Sequence, residues 1–383
     1  MKQTAYTVSE VRSKTDWIAF HGLSKTIYQS YPHLSPIPEH EARRLLNQRK
    51  NPYFRTYRLI ALLCWIDDKP AARITIHIPR DLNSSSVATF GFFECIDDLN
   101  ACSALLKRAE NICRASGVSA LEGPYNPSAG SISGIQLTNF SSPNVYTEAC
   151  SPRYYAALLG ECGYAPTAYG RTFRRDNTDS RVAQMRKLEA TGKYRIWNPN
   201  RVQLAVAFKA LEEIFGASFA NNRAVQPRSY ESDLYAALGL LDAWMRDSIH
   251  IVYDGNLPVG MIVCLPDISE IVKNYPGRNS LFRRFHIWRR KKSATRLIVY
   301  AMGVKEGYRN TAAAYLLAQS FMQTAERFEY IYSTWITEGN DPPAKLADRF
   351  GLKPWKRFAM YGTTLESTKL IHHPFPIQER STL

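Results

Sequence analysis

One order of strands and helices is written twice in this chain, and any fold has to accommodate both copies. In the first copy, strand-like runs at 57–66 and 71–79 flank Asp67-Asp68-Lys69-Pro70, a hairpin signal. A third, aromatic strand follows at 87–95. Residues 97–116 place Leu99, Cys102, Leu105, Leu106, Ala109 and Ile112 at helical spacing, with Gly117 where a C-cap belongs. A short strand over 119–123, a turn-rich loop over 124–145, a helix over 152–163 and a strand over 164–174 complete the copy. The second copy has two helices over 199–246 and a hairpin of strands at 249–253 and 259–266 around Asp254-Gly255-Asn256. A strand at 296–304, a helix at 311–329, a strand at 330–337, a helix at 343–351 and a strand at 355–363 then follow. The opening 50 residues read as polar helices broken by a proline-rich stretch at 31–38, and 175–180 as a linker. The pattern predicts an α/β chain of α+β type: two tandem domains, each a mostly antiparallel mixed sheet flanked by helices. The expected boundaries are 1–176 and 181–364, with a tail over 365–383.

At 383 residues, the chain is long enough for two such units. No run of 18 apolar residues occurs and the N-terminus lacks a signal-peptide pattern, so a soluble, cytoplasmic protein is expected. The seven cysteines form no CxxC, and neither they nor the eight histidines show ligand spacing, so no metal is expected. The formal net charge of +15 favours an anionic partner: nucleic acid, a phosphorylated carrier, an acidic metabolite or a membrane surface.

The sharpest chemistry lies where the strand at 296–304 gives way to a helix. A helix start offers unpaired N–H groups and the positive end of the helix dipole, which suits a phosphate. Arg309-Asn310-Thr311-Ala312-Ala313-Ala314 opens this helix, and Gly303 and Val304 end the strand before it. A main-chain N–H near Val304 would polarise an acyl carbonyl held there. Glu338, at the end of the following strand, is the candidate general base, with Asn340 beside it.

This order of elements resembles the GNAT acyltransferase superfamily, and R-x-x-A-x-A at 309–314 resembles its pyrophosphate-binding Q/R-x-x-G-x-G/A loop, with Ala312 in place of glycine. Asn340, Ala344, Leu346 and Gly351-Leu352 resemble its N-x-x-A-x-x-L-Y-x-x-x-G-F segment, in which the tyrosine credited as general acid falls at Ala347. Tyr361 and Tyr332 are the nearest replacements. The first half is similar to a bacterial group of tandem GNAT-like proteins (YghO-like). The matching stretches are Asn51-Pro52-Tyr53-Phe54, Ala72-Arg73-Ile74, Phe90-Gly91-Phe92-Phe93-Glu94-Cys95, Gly123-Pro124-Tyr125-Asn126-Pro127-Ser128 and Ser151-Pro152-Arg153-Tyr154-Tyr155. The chain departs from that group at Ala72, usually Gly, and at Asn222-Arg223-Ala224-Val225, usually Asn-Trp-Gly-Phe. The resemblance implies acyl-CoA as donor, a small-molecule or lipid amine as acceptor, and direct N-acyl transfer. Aminoacyl-tRNA, used by the tandem GNAT-fold Fem-type transferases, is the alternative donor; a non-catalytic binding protein is the third reading.

The first half carries no phosphate loop. Ile96-Asp97-Asp98 puts carboxylates at the helix start, which cap the helix and repel phosphate. This half is therefore expected to be a degenerate copy that helps hold the acceptor, through Tyr125, Asn126 and Ser128, with Asn222 from the second half. The segment 283–296 holds seven Lys/Arg and no acid: Arg283, Arg284, Arg289, Arg290, Lys291, Lys292 and Arg296, interleaved with Phe285 and Trp288. Such a mixture suits tRNA or an anionic membrane surface.

Overall fold

The computed structural model describes residues 5–83, 85–127, 133–177, 192–219, 243–245, 247–273, 280–339 and 341–365. Strand β1 (Tyr6–Glu10) leads into helix α1 (Lys14–Tyr28), where Ser13 and Asp16 form a reciprocal capping box. Helices α2 (Glu39–Leu45) and α3 (Tyr53–Thr56) follow, then strands β2 (Tyr57–Ile66), β3 (Lys69–Pro79) and β4 (Val87–Cys95). Asp67 and Asp68 both take positive φ, 46° and 62°, as a tight hairpin between right-twisted strands demands. Helix α4 (Leu99–Ala115) is capped by Asp98, and Gly117 leaves it at φ 76°. Strands β5 (Ala120–Gly123) and β6 (Ile135–Gln136), helix α5 (Tyr155–Glu161) and strand β7 (Ala165–Asp176) close the first half.

The second half runs β8 (Tyr194–Trp197), α6 (Leu204–Phe219), β9 (Ile249–Asp254), β10 (Leu257–Pro266), α7 (Ser269–Lys273), α8 (Ser280–Arg290), β11 (Arg296–Val304), α9 (Ala312–Ala325), β12 (Tyr330–Ser333), β13 (Ile336–Thr337), α10 (Asp341–Arg349) and β14 (Lys353–Thr364). Several details depart from the sequence expectation: β8 is an edge strand on β9 that the pattern did not predict, and the strand expected at 330–337 is split into β12 and β13. Tyr6–Glu10 is an edge strand on β2, its Tyr6 and Val8 packing on the core. Arg175 and Asp176, expected in a linker, extend β7, which pairs Arg174–Asp176 with Tyr332–Tyr330 of β12. The Arg174 guanidinium lies 4.4 Å from the Tyr330 ring and 4.6 Å from Trp355, so this cation is held by aromatic faces as well as by strand bonds.

The strands of the described residues join one 14-stranded sheet in the order β1-β2-β3-β4-β5-β14-β7-β12-β11-β10-β9-β8, with β6 pairing β14 and β13 pairing β7. The order is a palindrome of the two copies, β1 to β5 matching β8 to β12. The last strand of each copy crosses over: β14 pairs with β5 of the first half, and β7 with β12 of the second. β7 and β14 pair with each other at the centre, so the halves share one continuous hydrogen-bonded ladder. Period-two burial follows. On β10, Met261, Val263 and Leu265 face a core with α6, and Ile262 and Cys264 face the opposite core under α9. The first half buries its main core between the sheet, α4 and α5.

Candidate functional site

Each half places its fourth strand parallel to its fifth, and each fourth strand carries a bulge. In the second half, β11 pairs with β12 only from Arg296↔Tyr330 to Val299↔Ser333. Its register against β10 slips at Val263/Cys264, leaving Tyr300 as the extra residue. The slip keeps Leu297, Val299, Met302 and Val304 on the α9 face and turns Tyr300 and Ala301 to the other. Beyond Val299 the neighbours separate. Thr334 is the last contact, its N–H donating to Val299 O (3.2 Å) and its hydroxyl to Tyr300 O (3.0 Å). Residues Ile336 and Thr337 then pair with β7, while β11 continues to Val304 alongside β10 alone. A wedge opens between them, and one edge of β11 faces it without a strand partner.

The wedge ends at the turn the sequence singled out. Gly303 is buried and half-buried Val304 closes the strand, with Lys305 N–H returning to Val259 O (2.9 Å). A single 3₁₀ turn, Glu306–Tyr308, precedes Arg309 and the Thr311 cap of α9. The Thr311, Ala313 and Ala314 amides are used internally, on Tyr308 O (3.3 Å), Thr311 Oγ1 (3.3 Å) and Thr311 O (3.1 Å). Among the described residues, the Asn310 and Ala312 amides take no acceptor. Arg309 is exposed beside them, its Nε 3.4 Å from Val304 O, whereas Lys305 is paired with Glu213 at 2.6 Å. The turn thus offers two amides and one guanidinium to an anion.

The equivalent wedge in the first half is closed. β4 pairs with β5 over Val87–Thr89, and the chain after β5 continues the contact. Tyr125 N–H donates to Phe90 O (2.6 Å) and Phe92 N–H to Asn126 Oδ1 (2.9 Å). A Cβ on Gly91 would lie 2.3 Å from Tyr125 O, and one on Gly123 2.3 Å from Phe90 O, so only glycines let the strands touch here. Phe92 takes the left-handed conformation (φ 47°) that turns its amide to Asn126. The α4 start is filled by Asp98, which accepts from Ala101 N–H (2.9 Å) and from the Tyr6 hydroxyl (3.1 Å). Tyr125 also donates its hydroxyl to Glu122 (3.3 Å). Tyr125 and Asn126, two of the four residues expected to touch substrate, thus help seal this wedge, and Asn126 also borders a small cavity of about 60 Å³.

Three charged side chains line that cavity, Arg73, Glu94 and Glu148, and the sequence reading singled out none of them as site residues. Burial pushes the Glu94 carboxyl up, and Arg73 (3.4 Å) and the hydroxyls of Tyr155 (2.7 Å) and Ser24 (3.1 Å) oppose this. Burial likewise pushes Glu148 up against the pull of Lys356 (3.0 Å) and Thr172 (2.8 Å). The signal was present: Arg73, Glu94 and Tyr155 each sit in a stretch noted above for its resemblance.

The remaining sequence-derived residues are placed as follows. Glu338 accepts from Arg171 (2.6 Å) and, through both carboxylate oxygens, from Arg357 (2.8 and 3.0 Å). Partial burial alone would raise its pKa, but the two guanidiniums hold it below the usual carboxylate range. It is a clamped ion tying β13 to β7 and β14. Tyr361 does not reach the second-half wedge: the crossing of β14 buries it in the first half's core, opposite Gly123. Tyr332 packs with Ile298 and Val145, and Ala347 is buried under α9's face of the sheet. Asn222, Ser128 and Asn340 lie outside the described residues. In the basic segment, Arg296 pairs with Asp267 (3.3 Å) and Glu270 (2.5 Å), and Lys291 donates to Trp244 O. Arg284, Trp288, Arg289, Arg290 and Lys292 are exposed, and Arg283 is half-buried.

The chain is similar to protein YghO of Escherichia coli (strain K12), with 26% identity over 370 residues, 91% of this chain and 93% of that protein. No protein-family model matches the sequence. Among solved structures, a tandem GNAT protein from the clavulanic acid biosynthesis pathway superposes with a TM-score of 0.57 at 11% identity, covering 95% of this chain and all (100%) of that one. A probable N-acyltransferase from Enterococcus faecalis V583 (TM-score 0.50, 10% identity) covers 94% of this chain and 73% of its own. A GCN5-related N-acetyltransferase from Anabaena variabilis ATCC 29413 matches equally (TM-score 0.50, 6% identity, 94% and 73%). At these identities the structures establish the fold: the palindromic sheet is a tandem GNAT arrangement.

Proposed function

We propose that this YghO-like chain of tandem GNAT fold is an N-acyltransferase that takes its acyl group from acyl-CoA in the second-half wedge and passes it to an amine. The observation that carries this reading is the asymmetry of the two wedges. The first is closed by Tyr125 and Asn126, while the second runs open from Thr334 to a turn with two unengaged amides and Arg309. The pyrophosphate lies on the Asn310 and Ala312 amides and Arg309. The acyl-bearing arm follows the unpartnered edge of β11, whose main-chain N–H groups receive the thioester carbonyl. The amine nitrogen attacks that carbon, the carbon–sulfur bond breaks, and the CoA thiolate takes up the proton the ammonium releases. Products are an amide and free thiol, with no acyl-enzyme stage. Glu338 serves as a positioning residue that fixes β13 against β7 and β14, since its oxygens are already committed to Arg171 and Arg357. The similar structures, an N-acetyltransferase and a probable N-acyltransferase among them, agree with transfer at this general level. The aminoacyl-tRNA alternative draws no support from them.

The test is thermal protection by CoA and acyl-CoA at physiological salt. Wild type is expected to gain a saturable shift. Ala312→Glu keeps a helix-favouring residue in the first turn but sets a carboxylate on the phosphate, and is expected to raise the CoA requirement about tenfold or more. Equal protection of wild type, Ala312→Glu and Arg309→Ala overturns the site. The vacancy of the usual acid at Ala347 favours a second reading, a binding protein that keeps CoA without turnover. Thiol release from acyl-CoA on adding an amine panel separates the two.

A further inference from the structure

Helix α8 (Ser280–Arg290) turns its apolar side outward. Four of the eleven exposed large hydrophobic residues among the described positions lie on it: Leu281 (74% exposed), Phe282 (65%), Phe285 (57%) and Trp288 (61%). At 3.6 residues per turn these four occupy one arc of roughly 120°, and Ile287 lies on the opposite side. Ile287 is 1% exposed and anchors the helix in the core beneath it, with α6 and β10. The helix is therefore docked by its far face and presents an aliphatic and aromatic ridge to solvent. Phe285 and Trp288 stack on each other at 5.9 Å, which makes the ridge one continuous surface. Arg289 falls within this arc, Arg290 and Lys292 are exposed beside it, and no acidic residue occurs between 283 and 296.

We propose that α8 is an interfacial docking element that lays this ridge into the headgroup boundary of an anionic lipid bilayer. An apolar ridge left in water is unfavourable, and a cationic rim on top of it carries self-repulsion; an anionic bilayer removes both, taking the rings into the acyl boundary and the guanidiniums to the phosphates. The paired ring stack and the aliphatic Leu281 favour lipid over nucleic acid. A base stacks on one ring face and gains nothing from an aliphatic neighbour, whereas the ring pair and Leu281 together bury as one apolar surface in an acyl boundary. The helix is too short to span a bilayer and is held to the fold by Ile287, so it lies in the plane of the surface. The inference stands apart from the transfer reading: it concerns the end of the sheet where β11 begins, not the wedge where β11 ends.

The test is flotation of the full chain with vesicles of phosphatidylcholine alone and of phosphatidylcholine mixed with phosphatidylglycerol. Wild type is expected to float with the anionic vesicles, weakly at raised salt, and not with phosphatidylcholine alone. Phe285→Ser/Trp288→Ser and Arg289→Glu/Arg290→Glu are each expected to lose about tenfold or more of the binding, with melting temperatures unchanged because these side chains are exposed. Vesicles carrying brominated lipid are expected to quench wild-type fluorescence more than that of Trp288→Phe. No flotation of wild type, undiminished flotation of both double variants, or retention on mixed tRNA without binding to vesicles overturns the proposal.

Discussion

Single residues hold this fold at points where there is no room to spare. Trp335, from the second half, lies flat on Gly170 of β7; a Cβ on Gly170 would sit 2.0 Å from its ring, and one on Gly134 2.5 Å. The indole also packs on Phe358 of β14 at 5.9 Å and donates to Thr337 at 3.3 Å. It fills the centre of the sheet between the two wedges. Gly170→Ala is expected to cost about 1–3 kcal/mol, the usual range for overpacking, measured as a lower urea midpoint with unchanged slope. Trp335→Phe, which shrinks the ring, is expected to recover part of that loss in the double variant. Nothing in the sequence near Gly170 signals this contact, because the partner is 165 positions away (335 minus 170).

Elements are tied to one another by buried histidines. His250 on β9 meets the Asn198 amide (2.9 Å) after β8 and the Ser320 hydroxyl (2.8 Å) of α9 through Nδ1, so one ring joins two strands to a helix. Burial holds its pKa down to about 4, and that of His77, enclosed by Tyr53, Thr75 and Thr89, down to about 3. Both rings are neutral in the fold. The unfolded chain takes up these protons near pH ~6.5, well before the native state does. Stability is therefore fully present above that pH and is lost as pH falls from about 6.5 towards 4, by roughly 1–3 kcal/mol per ring. Urea midpoints measured at pH 7 and pH 4.5 are expected to differ less in His250→Gln than in wild type; an identical acid loss would detach the effect from this ring. The elements themselves were readable in outline: β2, β4 and β11 run over the very residues the pattern predicted, because turns and a proline bound them on both sides. β1 was not, since five residues of edge strand in front of a helix carry too short an alternation to stand out.

Across the whole molecule, the exchange of β7 and β14 makes each half incomplete without the other. Lys356 on β14 shows what this demands: its ammonium, 0% exposed, reaches Glu148 (3.0 Å), Ser142 O (3.2 Å) and Pro143 O (3.1 Å), all in the first half's loop. Removing the cation strands a buried carboxylate. Lys356→Met is expected to cost about 3–5 kcal/mol, and Glu148→Gln added to it is expected to return a large part. A single cooperative unfolding transition for the full chain, by fluorescence and circular dichroism alike, is expected from the shared ladder; two separated transitions would contradict it.

The sequence by itself determined what is local: the duplicated order of elements, the turn residues, the capping carboxylates at 97–98, and the helix start at 309–314 that became one end of the candidate site. Only the tertiary structure decided how the first wedge is closed and where Tyr361 goes. Period and propensity say which face of a strand is buried, but not which strand becomes its neighbour. Two glycines and an asparagine close the first wedge by contacts more than thirty positions apart, and the crossing of β14 carries Tyr361 away from the wedge its place in the chain suggested. Strand pairing is settled by hydrogen bonds between distant segments, and those are satisfied only once the whole sheet has assembled.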